Sequence, residues 1–434
     1  MTAAETMERR LRESDVRTVV LEFADLNGVS RSKQVSTDHF LRSWEEGFSI
    51  PVAILACTPL TVPAEGSGVT EELHYADGHL HPVPATYKPV PWRERTARVL
   101  CEFAFRGDPV GCDPRHVLDR TLSGLGTDLE FAVGSELEFY LLDPDGDGGW
   151  EPATPHEHEC VTWATEAADG FYGRLADWAE AYGVPLTLFQ HEYGSGQFEA
   201  LFDHGPPRAQ ADLAFDFKRL VQATARSRDR RGTFMAKPFS DQSGSGYHLH
   251  VSARDDGGNA FADGDGRLST TGRHFVGGVL EHADALVALQ CPTINAYKRF
   301  EPGGFVPATA SWGYDNRMAG VRIPVDEPRV EVRFGSADAN PYVVIASTLA
   351  AGAHGIREGI DPGEPIDDRD PAGDRPALER TPELALRALE DDEVLVDALG
   401  GAFVRAYAAV RRQGIEDFYD TVTDYEFEVF GETY

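Results

Sequence analysis

Three short stretches of the chain set charged or polar side chains at every second position. In Gly134-Ser-Glu-Leu-Glu-Phe-Tyr140, Glu136 and Glu138 alternate with Leu137 and Phe139. In Gly244-Ser-Gly-Tyr-His-Leu-His-Val-Ser252, His248, His250 and Ser252 alternate with Tyr247, Leu249 and Val251. In Arg329-Val-Glu-Val-Arg-Phe334, Arg329, Glu331 and Arg333 alternate with Val330, Val332 and Phe334. Two more carboxylates, Glu192 and Glu199, flank the Gly-Ser-Gly turn of Gln190-His-Glu-Tyr-Gly-Ser-Gly-Gln-Phe-Glu199. Five Glu with one or two His form a mostly hard-oxygen donor set, suited to Mg²⁺ or Mn²⁺ rather than zinc. Mixed with arginines, it points to two or more divalent cations gripping a polyphosphate, with Arg offsetting charge as phosphate transfers.

Such residues work together only if the backbone brings them to one face. In a strand, successive side chains point to opposite sides. Each stretch therefore predicts a strand with an apolar back and a reactive front, and the three together predict one sheet lining one polar cavity. Around them, Thr6–Glu13 reads as a helix. Val16–Phe23 and Val29–Val35 read as strands joined at the Asn27-Gly28 turn. Ser36–Glu46 reads as a capped helix stopped by Gly47, and Ala97–Phe105 closes a small mixed unit of about a hundred residues, an ordinary domain size. The expected boundary lies near Asp108-Pro109, giving an N-terminal domain at 1–108 and a catalytic one at 109–434. Beyond it, Asp113-Pro114 starts a helix as N-cap and first residue. Leu129–Leu142 and Pro185–Glu192 read as strands. Helices are expected at Phe171–Tyr182, Ala209–Arg228, Gly272–Leu289, Pro341–Glu358, Ala385–Leu389 and Leu395–Arg412.

Composition narrows the partners. The 434 residues carry 72 acidic against 40 basic side chains, a net charge of -32, and only five of the basic residues are lysine. Such a field repels nucleic acid and anionic membranes, so neither is an expected partner. It suits a protein kept soluble in concentrated salt, where screening removes the self-repulsion. The five cysteines (57, 101, 112, 160 and 291) have no CxxC spacing, which implies neither a disulfide framework nor a zinc knuckle and fits a reducing cytoplasm. Met1–Asp15 is charged rather than apolar and so is no signal peptide. The run Ile50–Val62 is too short and proline-broken to span a membrane.

Three other motifs fail on their chemistry. Asp143-x-Asp145-x-Asp147-Gly148 begins like a calcium loop, but Thr154 stands where a bidentate Glu is needed, so a solvated turn is expected. His156-Glu-His-Glu-Cys160 lacks a partner cluster for zinc. No Gly-Lys pair exists, so there is no P-loop.

The ordered motifs resemble the glutamine synthetase family, type I-like, from Phe23-Ala-Asp-Leu-Asn-Gly28 to Thr423-Asp-Tyr-Glu426. They include Lys237-Pro, Asn295-Ala-Tyr-Lys-Arg-Phe300, Asn316-Arg-x-x-x-x-Arg-Ile-Pro324 and Asn340-Pro341. The resemblance implies an α+β fold: a small N-terminal β-grasp domain and a large C-terminal catalytic domain with a curved, mainly antiparallel sheet flanked by helices. It implies that Glu138, Glu192 and Glu199 hold one Mg²⁺ or Mn²⁺, and that Glu136, His248 and Glu331 hold another. By the same likeness Gly244, His250, Arg299 and Arg333 contact a glutamate-like acid, while Ser252 and Arg329 contact ATP. Arg317 and Arg322 match the arginines that stabilise the transferring phosphoryl group. Homo-oligomers with active sites completed by neighbouring subunits, dodecamers of two stacked rings, are implied too.

The chain departs from the family where the nucleophile is chosen. Ammonia-using members carry a Pro-Gly-Tyr-Glu-Ala-Pro flap whose Glu closes the ammonium pocket. Here the flap reads Pro302-Gly-Gly-Phe-Val-Pro307, with Phe305 in place of that Glu. The family's Asp-Gly-Ser-Ser stretch has no counterpart around Gly47-Phe-Ser-Ile50, and the tyrosine adenylylated in some relatives has no match in 359–380. Phe cannot accept a proton or balance an ammonium ion, but it offers an apolar wall to the alkyl part of a larger amine. The expectation is thus the γ-glutamylamine or γ-glutamylpolyamine ligase branch. Glutamine synthesis from ammonia and a non-catalytic nucleotide or glutamate sensor are the alternatives.

Overall fold

The strands Thr18–Ala24 and Glu130–Pro144 belong to two separate sheets in the computed structural model, which describes residues 3–154, 159–300, 306–325, 328–366 and 375–434. The first sheet holds β1 (Thr18–Ala24), β2 (Ser30–Ser36), β3 (Phe48–Pro51), β4 (Asp77–Pro82) and β5 (Thr96–Phe105), in the order β2-β1-β5-β4-β3. β1 is antiparallel to β2 but parallel to β5, the mixed pairing of a β-grasp unit. The hairpin turns at Gly28, at a φ of +75° that suits glycine. A Cβ there would also sit 2.9 Å from the Cα of Asn340. Asn340 explains the approach. Its side chain accepts from the N–H of Tyr342, capping the helix Pro341–Glu358, and donates to the carbonyl of Asp25 at 3.0 Å.

The second sheet is larger. It holds β6 (Glu130–Pro144), β7 (Leu186–His191), β8 (Gln197–Phe202), β9 (Tyr247–Asp255), β10 (Trp312–Tyr314), β11 (Val321–Ile323) and β12 (Val330–Val332). Their order is β7-β8-β6-β9-β12-β11-β10, antiparallel except for the pair β10 and β11. The predicted backs are all buried: Leu137, Phe139, Tyr247, Leu249, Val251, Val330, Val332 and Phe334. The helix Pro207–Arg226 packs against β6 and against Pro341–Glu358, which also packs on Thr270–Glu281.

A buried ion network joins the small sheet to the Pro207–Arg226 helix. Arg98 of β5 donates to Asp216 and, at 3.0 Å, to the hydroxyl of Tyr182, while Arg219 donates to Glu22 of β1 at 2.7 Å. Removing one partner of such a set leaves a buried charge uncompensated, so it fixes how the sheet meets the helix.

Three sequence expectations need correction. The helix expected over 272–289 is two, Thr270–Glu281 and Ala283–Gln290, because the backbone leaves the helix at His282 (φ -97°, ψ 14°). There the ring is held between Asp392 (2.6 Å) and His354 (2.9 Å). The helix expected over 395–412 is Glu393–Leu399 and Gly401–Tyr419, split at Gly400, whose φ of +85° no helix continues through. The strand expected over 329–334 is the three residues of β12. Asp145 accepts from the N–H groups of Asp147 and Gly149, so the calcium-like sequence forms a turn closed on itself. Among the described residues no helix is long and apolar enough to cross a membrane.

Candidate active site

Register brings the reactive fronts into line across six strands. On β7, β8 and β6, Gln190 lies opposite Glu199, and Glu199 opposite Glu138. Glu136 of β6 lies opposite His248 of β9, and His250 lies opposite Glu331 of β12, which itself faces Arg322 of β11. The pleat then points these groups to one side.

Their contacts form a continuous polar lattice. Glu136 accepts from His250 Nε2 at 2.7 Å and lies 3.3 Å from His248 Nδ1. Arg329 Nε donates to His250 Nδ1 at 3.1 Å, so the proton of this imidazole sits on Nε2, aimed at Glu136. Glu138 accepts from Gln197 Nε2 (3.0 Å) and from the N–H of Gly246 (2.8 Å). Gln190 Nε2 donates to both Glu192 (2.7 Å) and Glu199 (3.0 Å). Glu331, 1% exposed as a side chain, is gripped by Arg333 and by Arg322 Nη1 at 2.8 Å. Glycine is required here by space. A Cβ on Gly246 would lie 2.8 Å from His248 Nε2, and one on Gly244 would lie 2.6 Å from Arg299 Cγ.

Electrostatics divides the carboxylates. Burial would raise Glu136, but hydrogen bonds from His248 and His250 outweigh it and hold it well below the usual range. Burial also opposes ionisation of Glu331, and the Arg333 guanidinium reverses that, keeping it low. Glu192 is pushed up to about 7 and Glu199 to about 10, by burial first and then by neighbouring carboxylates. Two crowded carboxylates with unmet negative charge are the state a divalent cation relieves, so the donor set fits Mg²⁺ or Mn²⁺. Among the described residues, ligand atoms lie within 4.8 Å of one another in Glu136, Glu199 and His248, and in Glu136, His250 and Glu331, groupings that cut across the two expected triads.

The remaining expected residues surround this centre. Arg299 is buried and donates to the carbonyl of Gly335 at 2.8 Å. Arg322 also donates to Asp315. The Nε atoms of Arg299, Arg322 and Arg333 are buried and have no acceptor among the described residues. Arg317 is exposed, yet its charge reaches Glu192 and Glu199 and opposes their rise. Ser252 and Arg329 line a cleft of about 400 Å³ that opens from His250 and Glu136 and is shared with Thr187, Asp203, His204 and Asn259. Phe305, the residue expected to choose the nucleophile, lies outside the described residues, as does most of the His156–Cys160 motif. A second cleft, of about 420 Å³ behind Tyr297 and Lys298, is mostly apolar and holds no cluster of carboxylates.

Gln190 and Gln197, which join these carboxylates, have no role in the sequence expectation. Their signal was available, since Gln190 with Glu192, and Gln197 with Glu199, stand two apart and so share a face. Asp203 and His204 had no such pattern.

A family model described as glutamine synthetase, catalytic domain, matches residues 111–430. The chain belongs to the glutamine synthetase family. The glutamine synthetase of Pyrococcus horikoshii is 34% identical over 419 residues, covering 93% of this chain and 90% of that one. That of Halobacterium salinarum is 31% identical, covering 95% and 93%. A solved structure described as a GmaS/ADP complex superimposes with a TM-score of 0.87 at 30% identity, over 98% of this chain and 99% of that one. Apo GmaS superimposes at 0.86 and 32% identity, over 96% and 97%. As a member of the glutamine synthetase family, the chain is an ATP-dependent ligase that joins a carboxylate to ammonia or an amine.

Proposed function

We propose that this ligase forms γ-glutamyl amides from glutamate and a small organic amine. The observation that carries the choice is Phe305, an apolar residue where ammonia-using members place a carboxylate. The end-to-end likeness to GmaS, a γ-glutamylmethylamide synthetase, supports it. A second reading, glutamine synthesis from ammonia, is favoured by the names of the relatives at 31–34% identity.

The chemistry follows from the residues. A carboxylate is a poor acyl donor because its leaving group is oxide. Attack of the γ-carboxylate oxygen on the γ-phosphorus of ATP releases ADP and leaves an acyl phosphate. The amine nitrogen then attacks the acyl carbon, phosphate departs, and the spare amine proton must be taken up nearby. In this reading Glu138, Glu192 and Glu199 hold one divalent cation, and Glu136, His248 and Glu331 hold the other. Bound there, the cations supply positive charge to the phosphates. Arg317 and Arg322 offset charge on the moving phosphoryl group. Arg299, Arg333, Gly244 and His250 place the glutamate, whose anionic oxygens can take up the unused guanidinium N–H groups. Ser252 and Arg329 face the nucleotide cleft.

Two features of the whole chain belong to the same proposal. In it the chain divides into two domains, 1–108 and 109–434, and the enzyme is a cytoplasmic dodecamer whose active sites are completed by neighbouring subunits. The test of the activity is glutamate-dependent release of phosphate from ATP across ammonia and a panel of mono- and diamines. Turnover with amines above that with ammonia is expected. Absence of turnover with every nucleophile, ammonia included, would contradict the proposal and favour a nucleotide or glutamate sensor.

A further inference from the structure

Gln190 sits on β7 directly across from Glu199 and two residues before Glu192, so all three share one face. A primary amide nitrogen has two N–H donors. Here both are used, one on Glu192 Oε1 at 2.7 Å and one on Glu199 Oε2 at 3.0 Å. Among the described residues no other side chain donates to either carboxylate. The amide presents its nitrogen to the pair, the orientation that suits the ionised carboxylates of a metal-loaded site, since reversal would set a carbonyl oxygen against them. Its own oxygen faces Cys160, 4.0 Å from the sulfur.

We propose that Gln190 is a positioning residue of the metal site, its single amide nitrogen locking Glu192 and Glu199 side by side so that both serve the same cation. Residue type matters as much as reach. Lysine or arginine here would neutralise the carboxylates and compete with the cation, whereas an amide fixes two acceptors without adding charge. Each carboxylate spends one oxygen on the amide and keeps the other for a metal. This is the role of partners that orient metal ligands, whose loss commonly weakens binding about 10–100-fold.

The inference rests on the assignment of Glu192 and Glu199 to a divalent cation, and the test separates the two claims. Metal-stripped full-length protein is titrated with Mn²⁺, free Mn²⁺ being followed by electron paramagnetic resonance, and the melting temperature of the metal-free protein is read in parallel. Gln190→Met keeps length and volume but removes the donor. The result expected is a Kd for one Mn²⁺ site raised about 10–100-fold, the second site near its wild-type Kd, and an unchanged metal-free melting temperature. Gln190→His keeps one ring N–H and should recover part of the affinity. Wild-type Kd values at both sites in Gln190→Met would overturn the inference alone. So would loss at both sites together with a lowered metal-free melting temperature, the mark of a merely structural residue. Absence of Mn²⁺ binding by the wild type would remove the cation assignment, and the inference with it.

Discussion

The side chains of this site carry more negative charge than the protein alone can comfortably hold. That charge has a measurable consequence in pH. In the metal-free protein Glu199 titrates at about 10 and Glu192 at about 7, both raised, so near neutral pH Glu199 is protonated and Glu192 partly so. Cation binding must expel those protons, and affinity should rise with pH from about 6 to 10. Calorimetry of Mg²⁺ binding at pH 7.5 in buffers of different ionisation enthalpy should show release of about one proton per chain, from the site that contains Glu192 and Glu199; heats independent of buffer would contradict it. Substitution is the second check. Glu138→Ala and His248→Ala should abolish turnover while leaving circular dichroism unchanged, and normal activity in either at limiting Mg²⁺ would remove the metal assignment. Which side chains share the front was legible from alternation with Leu137, Phe139, Leu249 and Val332. Which atoms meet was not. That Gln190 spans two carboxylates depends on the register in which β7 pairs with β8 across the Gly194-Ser-Gly196 turn, which alternation within one strand does not set.

Among the elements, strands with one apolar face were readable because burial of the back selects the period. Caps were readable for the same local reason: Asp113 accepts from the N–H of Arg115 as its sequence predicts. Helix breaks were not. Nothing in the apolar run 272–289 announces that His282 is held by Asp392, over a hundred residues away. The glycines of this region serve close packing instead. A Cβ on Gly278 would lie 2.1 Å from the carbonyl oxygen of Ala351 on the neighbouring helix Pro341–Glu358, which carries Asn340 as its cap. Gly278→Ala should therefore cost about 1–3 kcal/mol through overpacking, despite the better helix propensity of alanine. Urea unfolding of wild type and variant measures it, and a stabilised variant would show that the helices can part freely.

At the scale of the whole molecule, the two sheets are held by charges as well as by apolar contact. Glu22, Arg98 and Asp216 are all buried at the junction, yet they lie far apart in the sequence and no local pattern pairs them. The chain as a whole has the opposite problem, an uncompensated net charge of -32. If that excess is a fit to concentrated salt, the melting temperature should climb steeply with KCl into the molar range, as screening with a Debye length of about 3 Å at 1 M relieves repulsion. A melting temperature flat from low to molar salt would contradict it. The fold class was legible because motif order spans the chain, whereas the nucleophile hangs on one short flap.

The most direct test is therefore the ratio of kcat/KM for short alkylamines to that for ammonia, in the wild type and in Phe305→Glu. An alkylamine is no less basic than ammonia, so its advantage must come from contact with the ring, about 0.8 kcal/mol per buried methylene. Two or three carbons then favour the amine by roughly one to two powers of ten in the wild type. Phe305→Glu should lower that ratio by restoring a carboxylate for ammonium. A wild type that uses ammonia at least as well as every amine would contradict the account.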